Sequence, residues 1–229
     1  MKFSLIIPSY NNASELLKEL PGLIEYFNIL NYEPEILIIN DGSRERELLE
    51  RICSENHWKL LHHESNIGKG AAVKTGMLAA SCDIRIFTDA DIPFQYDIFP
   101  AIFKLFEDPQ VMVVCGDRRQ SDYFSQTPPM RRLGSTIFSL LVNIIMMRNL
   151  GDTQCGIKAF RADAVNKIFS RSKITGFAAD IEWLYFAKNT GVAMCWVKAE
   201  FRNAGESSVV FWKQALKMLS DVIKLRFRV

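Results

Sequence analysis

The feature that most constrains this chain is the alternation running through its first half. Short β-branched and apolar runs at residues 3–7, 35–40, 59–63, 84–88 and 111–116 are separated by stretches of helical spacing at 13–27, 48–54, 71–80 and 97–107. A β-α rhythm of this kind predicts a mainly parallel sheet wound on both sides by helices, an α/β doubly wound class. In such sheets ligands bind beyond the carboxyl ends of the strands. Polar residues gather at three of those ends, as Ser9-Tyr10-Asn11-Asn12, Asp41-Gly42-Ser43 and Asp89-Ala90-Asp91. Three strand ends carrying acids or amides on one sheet edge make a site.

After Gly116 the rhythm breaks. Residues 117–130 read as a polar loop and 133–147 as a nearly unbroken apolar stretch between Arg132 and Arg148. A loop with Asp152-Thr153-Gln154-Cys155-Gly156 follows, then helices near 162–169 and 180–187, a strand at 192–197 and a helix from residue 209. A length of 229 residues suits one large α/β domain, and 48% hydrophobic with 24% charged residues suits a sizeable core. A net charge of +2 is too small for a general nucleic-acid binder. Basic residues concentrate at the end, with seven Lys or Arg against three Asp or Glu in residues 198–229. The five cysteines form no CxxC pair, so neither a disulfide framework nor a zinc site is expected and a reducing compartment fits. The three histidines lack metal-ligand spacing, so any metal should be a hard cation on carboxylates. The N-terminal run reads as a buried strand, too short for a signal peptide. No segment reaches the ~20 apolar residues of a membrane span, so a soluble or peripheral protein is expected.

Asp89-Ala90-Asp91 directly follows an apolar strand. Two carboxylates separated by one small residue can both reach a cation held by diphosphate oxygens. Asp41, after Leu37-Ile38-Ile39-Asn40, reads either as an ordinary turn or as an acceptor for the imide N–H of uracil or guanine. Asn66-Ile67-Gly68-Lys69-Gly70-Ala71-Ala72 fails both the Walker and the dinucleotide patterns. It still presents Lys69 and a helix N-terminus that can face an anion, and simple close packing explains the glycines equally well.

Together these pieces resemble the family 2 glycosyltransferases of the GT-A fold. Pro8-Ser9-Tyr10-Asn11, Asn40-Asp41-Gly42-Ser43, Asn66-Ile67-Gly68-Lys69-Gly70 and Thr88-Asp89-Ala90-Asp91 stand in that family's order and spacing. Asp152-Thr153-Gln154-Cys155-Gly156-Ile157-Lys158 and Gly176-Phe177-Ala178-Ala179-Asp180-Ile181-Glu182 look like loops of its dolichyl-phosphate glucose and mannose synthase branch. The resemblance implies one domain over 1–229, with a nucleotide-sugar-binding half at 1–116 and an acceptor half with membrane-facing amphipathic helices at 117–229. It places Pro8, Tyr10, Asn12, Asp41, Lys69, Asp89, Ala90, Asp91 and Arg202 around the donor, and a magnesium or manganese ion on Asp89 and Asp91. Three positions depart from the family. Asn12 stands where Glu is usual, Pro93 where some relatives have a Gln metal ligand, and Ser207-Ser208 replaces a common Ser-Lys. The absence of a QxxRW motif argues against a processive polysaccharide synthase.

The apolar stretch 133–147 reads as a core helix or as an interfacial helix with Arg131 and Arg132 at headgroup level. The C-terminal helix favours the second. Trp212, Ala215, Leu216, Leu219, Val222 and Ile223 follow helical spacing, while Lys213, Lys217, Lys224 and Arg228 share another face. The expected reaction is inverting transfer of a hexose from a UDP-glucose or GDP-mannose type donor to a polyprenyl phosphate, at the cytoplasmic face of a membrane. Asp91 and Asp180 are the expected catalytic residues, and Arg118, Arg131, Arg132, Ser135 and Gln154 the acceptor contacts. A saccharide or glycolipid hydroxyl is the alternative acceptor, for which Asp180 would be the general base. A catalytically silent nucleotide-binding or membrane-scaffold protein is the alternative of another class.

Overall fold

The computed structural model describes residues 1–121, 129–146, 150–202 and 211–228, with side chains for all of these except 129–135 and 211–215. Seven strands form one sheet: β1 (Lys2–Ser9), β2 (Glu33–Asp41), β3 (Lys59–His63), β4 (Ile84–Thr88), β5 (Val111–Asp117), β6 (Ile157–Arg161) and β7 (Ala193–Lys198). Their order is β3-β2-β1-β4-β6-β5-β7. The described helices are α1 (Ala13–Ile29), α2 (Arg46–Glu55), α3 (Lys69–Ala79), α4 (Ile98–Leu105), α5 (Pro129–Met146), α6 (Ala162–Phe169), α7 (Ala179–Asn189) and α8 (Phe211–Arg228).

β1 pairs in parallel with β2 on one side and β4 on the other. The strand order therefore reverses at β1, and the crevice beyond β1 and β4 is the expected ligand position. Residues of the central strands are apolar on both faces. Phe3, Leu5, Ile7, Ile36 and Ile38 pack in the layer with α1, α2 and α4, whereas Ile6, Leu37 and Ile39 pack in the layer with α3, α6 and α7. Inner parallel strands are covered on both faces, and this is why these runs lack polar alternation.

No strand is expected from sequence at 157–161, yet Ile157–Arg161 forms β6, antiparallel to both β4 and β5. Its apolar run is broken by Lys158, which sits in register with Phe87 and Cys115 and is fully buried. A buried lysine needs every donor paired, and here the amine is fixed by the site described below. The polar loop expected at 117–130 opens with a short 3-10 turn at Arg118–Gln120, and 122–128 lie outside the described residues.

Candidate active site

The ends of β1 and β2 are laced together. Ser9 Oγ and the Tyr10 amide both donate to Asn12 Oδ1, at 2.7 and 3.0 Å. Asn11 takes a positive φ of 52°, its amide donates to Ser43 Oγ at 3.0 Å, and its side-chain oxygen accepts from the Arg44 amide at 2.9 Å. Asn tolerates that left-handed backbone better than most residues. The Asn12 carboxamide is thus spent on its own turn. The carboxylate at the start of α1 comes instead from Glu45, which accepts from the Ala13 amide at 3.0 Å. Tyr10 is left half-exposed, and Pro8 lies in register with Ile39.

Asp41 is buried and accepts from three donors. The Ile67 amide reaches Oδ1 at 3.0 Å, the Gly68 amide reaches Oδ2 at 2.8 Å, and His63 Nδ1 lies 2.7 Å from Oδ1. With Nδ1 donating to the carboxylate, His63 Nε2 accepts from Thr75 Oγ1 at 2.9 Å. A carboxylate has about four acceptor positions, and here two hold amides of the glycine-rich loop while a third holds His63 at the end of β3. That loop is also held from its far side. Gly68 has a φ of 121°, and a Cβ there would come within 2.5 Å of the Thr175 carbonyl oxygen. A Cβ at Gly70 would meet the Ala179 Cβ at 2.4 Å. Both glycines are needed for close backbone approach, and between them stands Lys69.

Lys69 Nζ forms an ion pair with Asp89 Oδ1 at 2.5 Å. Burial opposes the lysine charge, but Asp89, then Asp180 and Asp91, outweigh it and raise its pKa. Asp91 projects to solvent, yet partial desolvation in the cleft and the neighbouring Asp89 carboxylate raise its pKa. Two carboxylates that disfavour each other's charge fit a hard divalent cation. Ala90, between them, is buried in the α1 and α4 layer, where a larger side chain has no room. Among the described residues no three His, Cys, Asp or Glu side chains converge as a complete metal shell. Asp89 and Asp91 would therefore supply two ligands, with diphosphate oxygens and water filling the rest.

Behind this edge lies a second ionic layer. Lys158 Nζ donates to Asp180 Oδ1 at 2.6 Å and to the carbonyls of Cys155 and Thr153 at 2.8 and 3.0 Å. Lys158 and Lys69 both face the Phe87 ring, at 5.4 and 6.0 Å from its centroid. Arg118 grips Asp152 in a fork, Nε to Oδ2 at 2.8 Å and Nη2 to Oδ1 at 2.7 Å. Burial alone would raise the Asp152 pKa, but Arg118 overrides it and brings it down to about 2. The Gln154 backbone amide also donates to this anchor, reaching Asp152 Oδ1 at 3.2 Å. Gly156 lies so close to Asp89 that a Cβ would come within 2.1 Å of Oδ2.

Arg202 stands at the border of the site. Its guanidinium stacks 4.4 Å from the Tyr96 ring centroid and donates to Tyr96 Oη and to Glu19 on α1. Glu19 in turn adds to the negative field at Asp91. Arg131, Arg132 and Ser135 fall on the first turns of α5, where side chains lie outside the described residues. Sequence reasoning did not single out Lys158, Gly156, His63 or Glu45. A lysine inside the apolar run Ile157-Lys158-Ala159-Phe160 was the one legible signal among them.

The fold has counterparts among known proteins. The glycosyl transferase family 2 model matches residues 4–169. The chain belongs to that family. Dolichyl-phosphate beta-glucosyltransferase of Dictyostelium discoideum is 28% identical over 98% of this chain and 74% of its own length. The Homo sapiens protein of that name is 24% identical, over 99% of this chain and 75% of its own. Glucosyl-3-phosphoglycerate synthase from Mycobacterium tuberculosis, crystallised with Mn2+, UDP and glucosyl-3-phosphoglycerate, superposes with a TM-score of 0.70 at 16% identity, over 98% of this chain and 78% of that one. Mannosyl-3-phosphoglycerate synthase from Rubrobacter xylanophilus gives 0.70 at 16% identity, over 100% and 73%. This family 2 glycosyltransferase is therefore an enzyme of GT-A architecture, and β6 is the antiparallel strand inside its otherwise parallel sheet.

Proposed function

We propose that this enzyme transfers glucose from UDP-glucose to a polyprenyl phosphate, with inversion, at the cytoplasmic surface of a membrane. The observation that carries the donor side is the cluster of Lys69, Asp89, Asp91 and Asp180 beyond the β1 and β4 ends. The curated relatives' shared name, dolichyl-phosphate beta-glucosyltransferase, supports the sugar and the acceptor. Asp89 and Asp91 would hold a magnesium or manganese ion, which would supply charge stabilisation to the leaving diphosphate. Lys69, kept charged by three carboxylates, adds a fixed positive charge to the same leaving group. Tyr10, Pro8 and the remaining acceptor position of Asp41 frame the nucleoside.

A phosphate nucleophile is already an anion at neutral pH and needs orientation more than deprotonation. The Asp180 carboxylate is engaged by buried Lys158, which supports an orienting role for it over proton removal. Arg131, Arg132 and Ser135, at the start of α5, and Gln154 are the proposed acceptor contacts. A cavity of about 100 Å³ lined by Gly176, Phe177, Lys217, Met218 and Asp221 opens between the start of α7 and α8. Phe177 and Met218 give it an apolar wall beside the Lys217 and Asp221 side chains.

The membrane reading rests on exposed apolar rows. Ile137, Leu140, Leu141 and Ile144 on α5 are exposed at i, i+3, i+4 and i+7, and α8 exposes Leu216, Ile223 and Phe227 beside Lys217 and Lys224. Among the described residues no helix is long and apolar enough to cross a membrane.

The test is a panel of radiolabelled nucleotide sugars with polyprenyl phosphate, scored by extraction into organic solvent. Label from UDP-glucose should enter the organic phase with magnesium or manganese and stay aqueous in chelator. Asp91→Ala should lower turnover by roughly 10²–10³-fold. Transfer to a saccharide hydroxyl, abolished in Asp180→Asn while the lipid phosphate stays unlabelled, would overturn the acceptor assignment.

A further inference from the structure

Glu182 is fully buried on α7, between apolar neighbours Ile181, Trp183 and Leu184. A buried carboxylate costs several kcal/mol unless it is paired and hydrogen-bonded, so its partners report what it is for. Oε2 accepts from Ser172 Oγ at 2.7 Å and from the amides of Lys173 and Ile174 at 2.9 Å each. Oε1 accepts from Arg228, in the last turn of α8. Ser172 is held twice more, its Oγ accepting from Trp183 Nε1 at 3.0 Å and its carbonyl from Lys74 Nζ at 2.7 Å. One carboxylate thus fastens the 172–174 turn with one oxygen and the C-terminal helix with the other.

The same turn continues into the donor edge. The Thr175 carbonyl accepts from the Ala71 amide at 3.1 Å. It is also the atom that a Cβ at Gly68 would strike at 2.5 Å, while the Gly176 carbonyl lies 2.8 Å from a Cβ at Gly70. The two glycines bracket Lys69, which pairs with Asp89. The contacts therefore run without a gap from Arg228 through Glu182, the 172–176 turn and the Gly68-Lys69-Gly70 loop to Asp89. Every link is a hydrogen bond, an ion pair or backbone packing. At its other end stands α8, whose Leu216, Ile223 and Phe227 face outward.

We infer that Glu182 is a positioning residue, and that its clasp on Arg228 couples the seating of α8 to the placement of Lys69 at the diphosphate site. The inference rests on the glucosyl-transfer reading above. Glu182 touches no reacting atom. It sets where the turn sits, and the turn sets the one backbone segment against which the Lys69 loop can close. When α8 lies on a lipid surface its last turn is immobilised, the clasp stays shut and donor affinity rises. With α8 loose, the turn relaxes and the phosphate cradle widens.

The test measures UDP affinity with magnesium by calorimetry, with and without vesicles of phosphatidylcholine and phosphatidylglycerol. The wild type should bind UDP more tightly with vesicles. Arg228→Ala should bind roughly tenfold more weakly, the size of one lost charge-assisted hydrogen bond, and should no longer respond to vesicles. Glu182→Gln, which keeps an acceptor oxygen for the turn amides but loses the charge facing Arg228, should behave alike, and Arg228→Lys should recover part of the response. With a short water-soluble prenyl phosphate, the effect should fall on KM for UDP-glucose, with kcat held within about twofold. Unchanged UDP affinity and vesicle response in Arg228→Ala overturns the coupling, as does a loss of thermal stability and kcat with KM intact. A wild type that binds UDP but labels no lipid overturns the acceptor reading instead, since the calorimetric result is independent of the acceptor.

Discussion

The β1, β2 and β4 edge and the α5 and α8 face of this enzyme are finished to different degrees. Along the β1–β4 strand ends, Asn12, Asp41, His63 and Lys69 already have internal partners, and glycines at 68, 70 and 156 let backbone and carboxylates approach within contact distance. On α5 and α8, by contrast, large apolar side chains are exposed among the described residues, namely Ile137, Leu140, Leu141, Ile144, Leu216, Ile223 and Phe227. A preorganised polar edge stabilises charge as it develops, because its dipoles need not reorient during reaction. An apolar face of that size has no comparable reason to meet water. The site stands between the two, with Lys158 and Asp180 fixed on the polar side and the Phe177 and Met218 cavity opening toward the apolar one.

The largest effect should come from removing what slack the donor edge has. Gly156→Ala puts a Cβ within 2.1 Å of Asp89 Oδ2, so the Asp89 side chain must swing away from its pair with Lys69. Because only the end of a side chain moves, stability should hardly change. Turnover should fall by roughly a hundredfold, the scale of an ångström-sized misplacement at a reacting centre. Calorimetry with UDP and manganese checks it, and wild-type affinity and turnover would show that this edge is looser than its contacts imply.

A second, smaller effect concerns Arg118, which the sequence offers as a phosphate ligand and the structure ties to Asp152. The folded Asp152 carboxyl titrates at about 2, against an ordinary value of 3.8. Its contribution to stability is therefore complete above that ordinary value and is lost as pH falls toward the folded one. The size is roughly 2 kcal/mol. Urea unfolding followed between about pH 5 and pH 2 should show this loss in the wild type and not in Asp152→Asn. An Asp152 that titrates normally would free Arg118 for an acceptor phosphate and move it to the other side of the comparison.

The same contrast explains what was legible in the sequence. Apolar periodicity exposed the parallel strands and their polar ends, because inner strands such as Leu5-Ile6-Ile7 obey one simple rule of burial. β6 escaped it. Its burial depends on Lys158 meeting two carbonyls of the preceding loop and, twenty-two residues on, Asp180, and no local pattern announces that ion pair. Asp41 was legible as a polar strand end, but its work in shaping the 66–68 loop depends on amides twenty-six and twenty-seven residues away. The departure at Asn12 had a similar cause, since the carboxylate at the start of α1 arrives from Glu45 across the β2 turn.

The smallest expected effect tests the unfinished half. Leu140 and Ile144 are 58% and 62% exposed, one helical turn apart on α5. Neither supports the core, which α5 meets through buried Val142 and Met146, so Leu140→Ser with Ile144→Ser should leave thermal stability unchanged. On a lipid surface the pair would enter the interface only partly, worth about 1 kcal/mol each rather than the full burial of a core side chain. Together they should weaken partitioning onto phosphatidylcholine and phosphatidylglycerol vesicles by about thirtyfold. Transfer to a water-soluble prenyl phosphate should be preserved, because no contact of the donor edge passes through these residues. Transfer to a long-chain acceptor embedded in the same vesicles should fall in step with partitioning. Vesicle binding unaffected by the double substitution would assign the α5 face to a protein partner or a second copy, leaving α8 as the lipid-facing element. A parallel loss of soluble-acceptor turnover would mean that the two regions are not separable, and that α5 shapes the reacting centre itself.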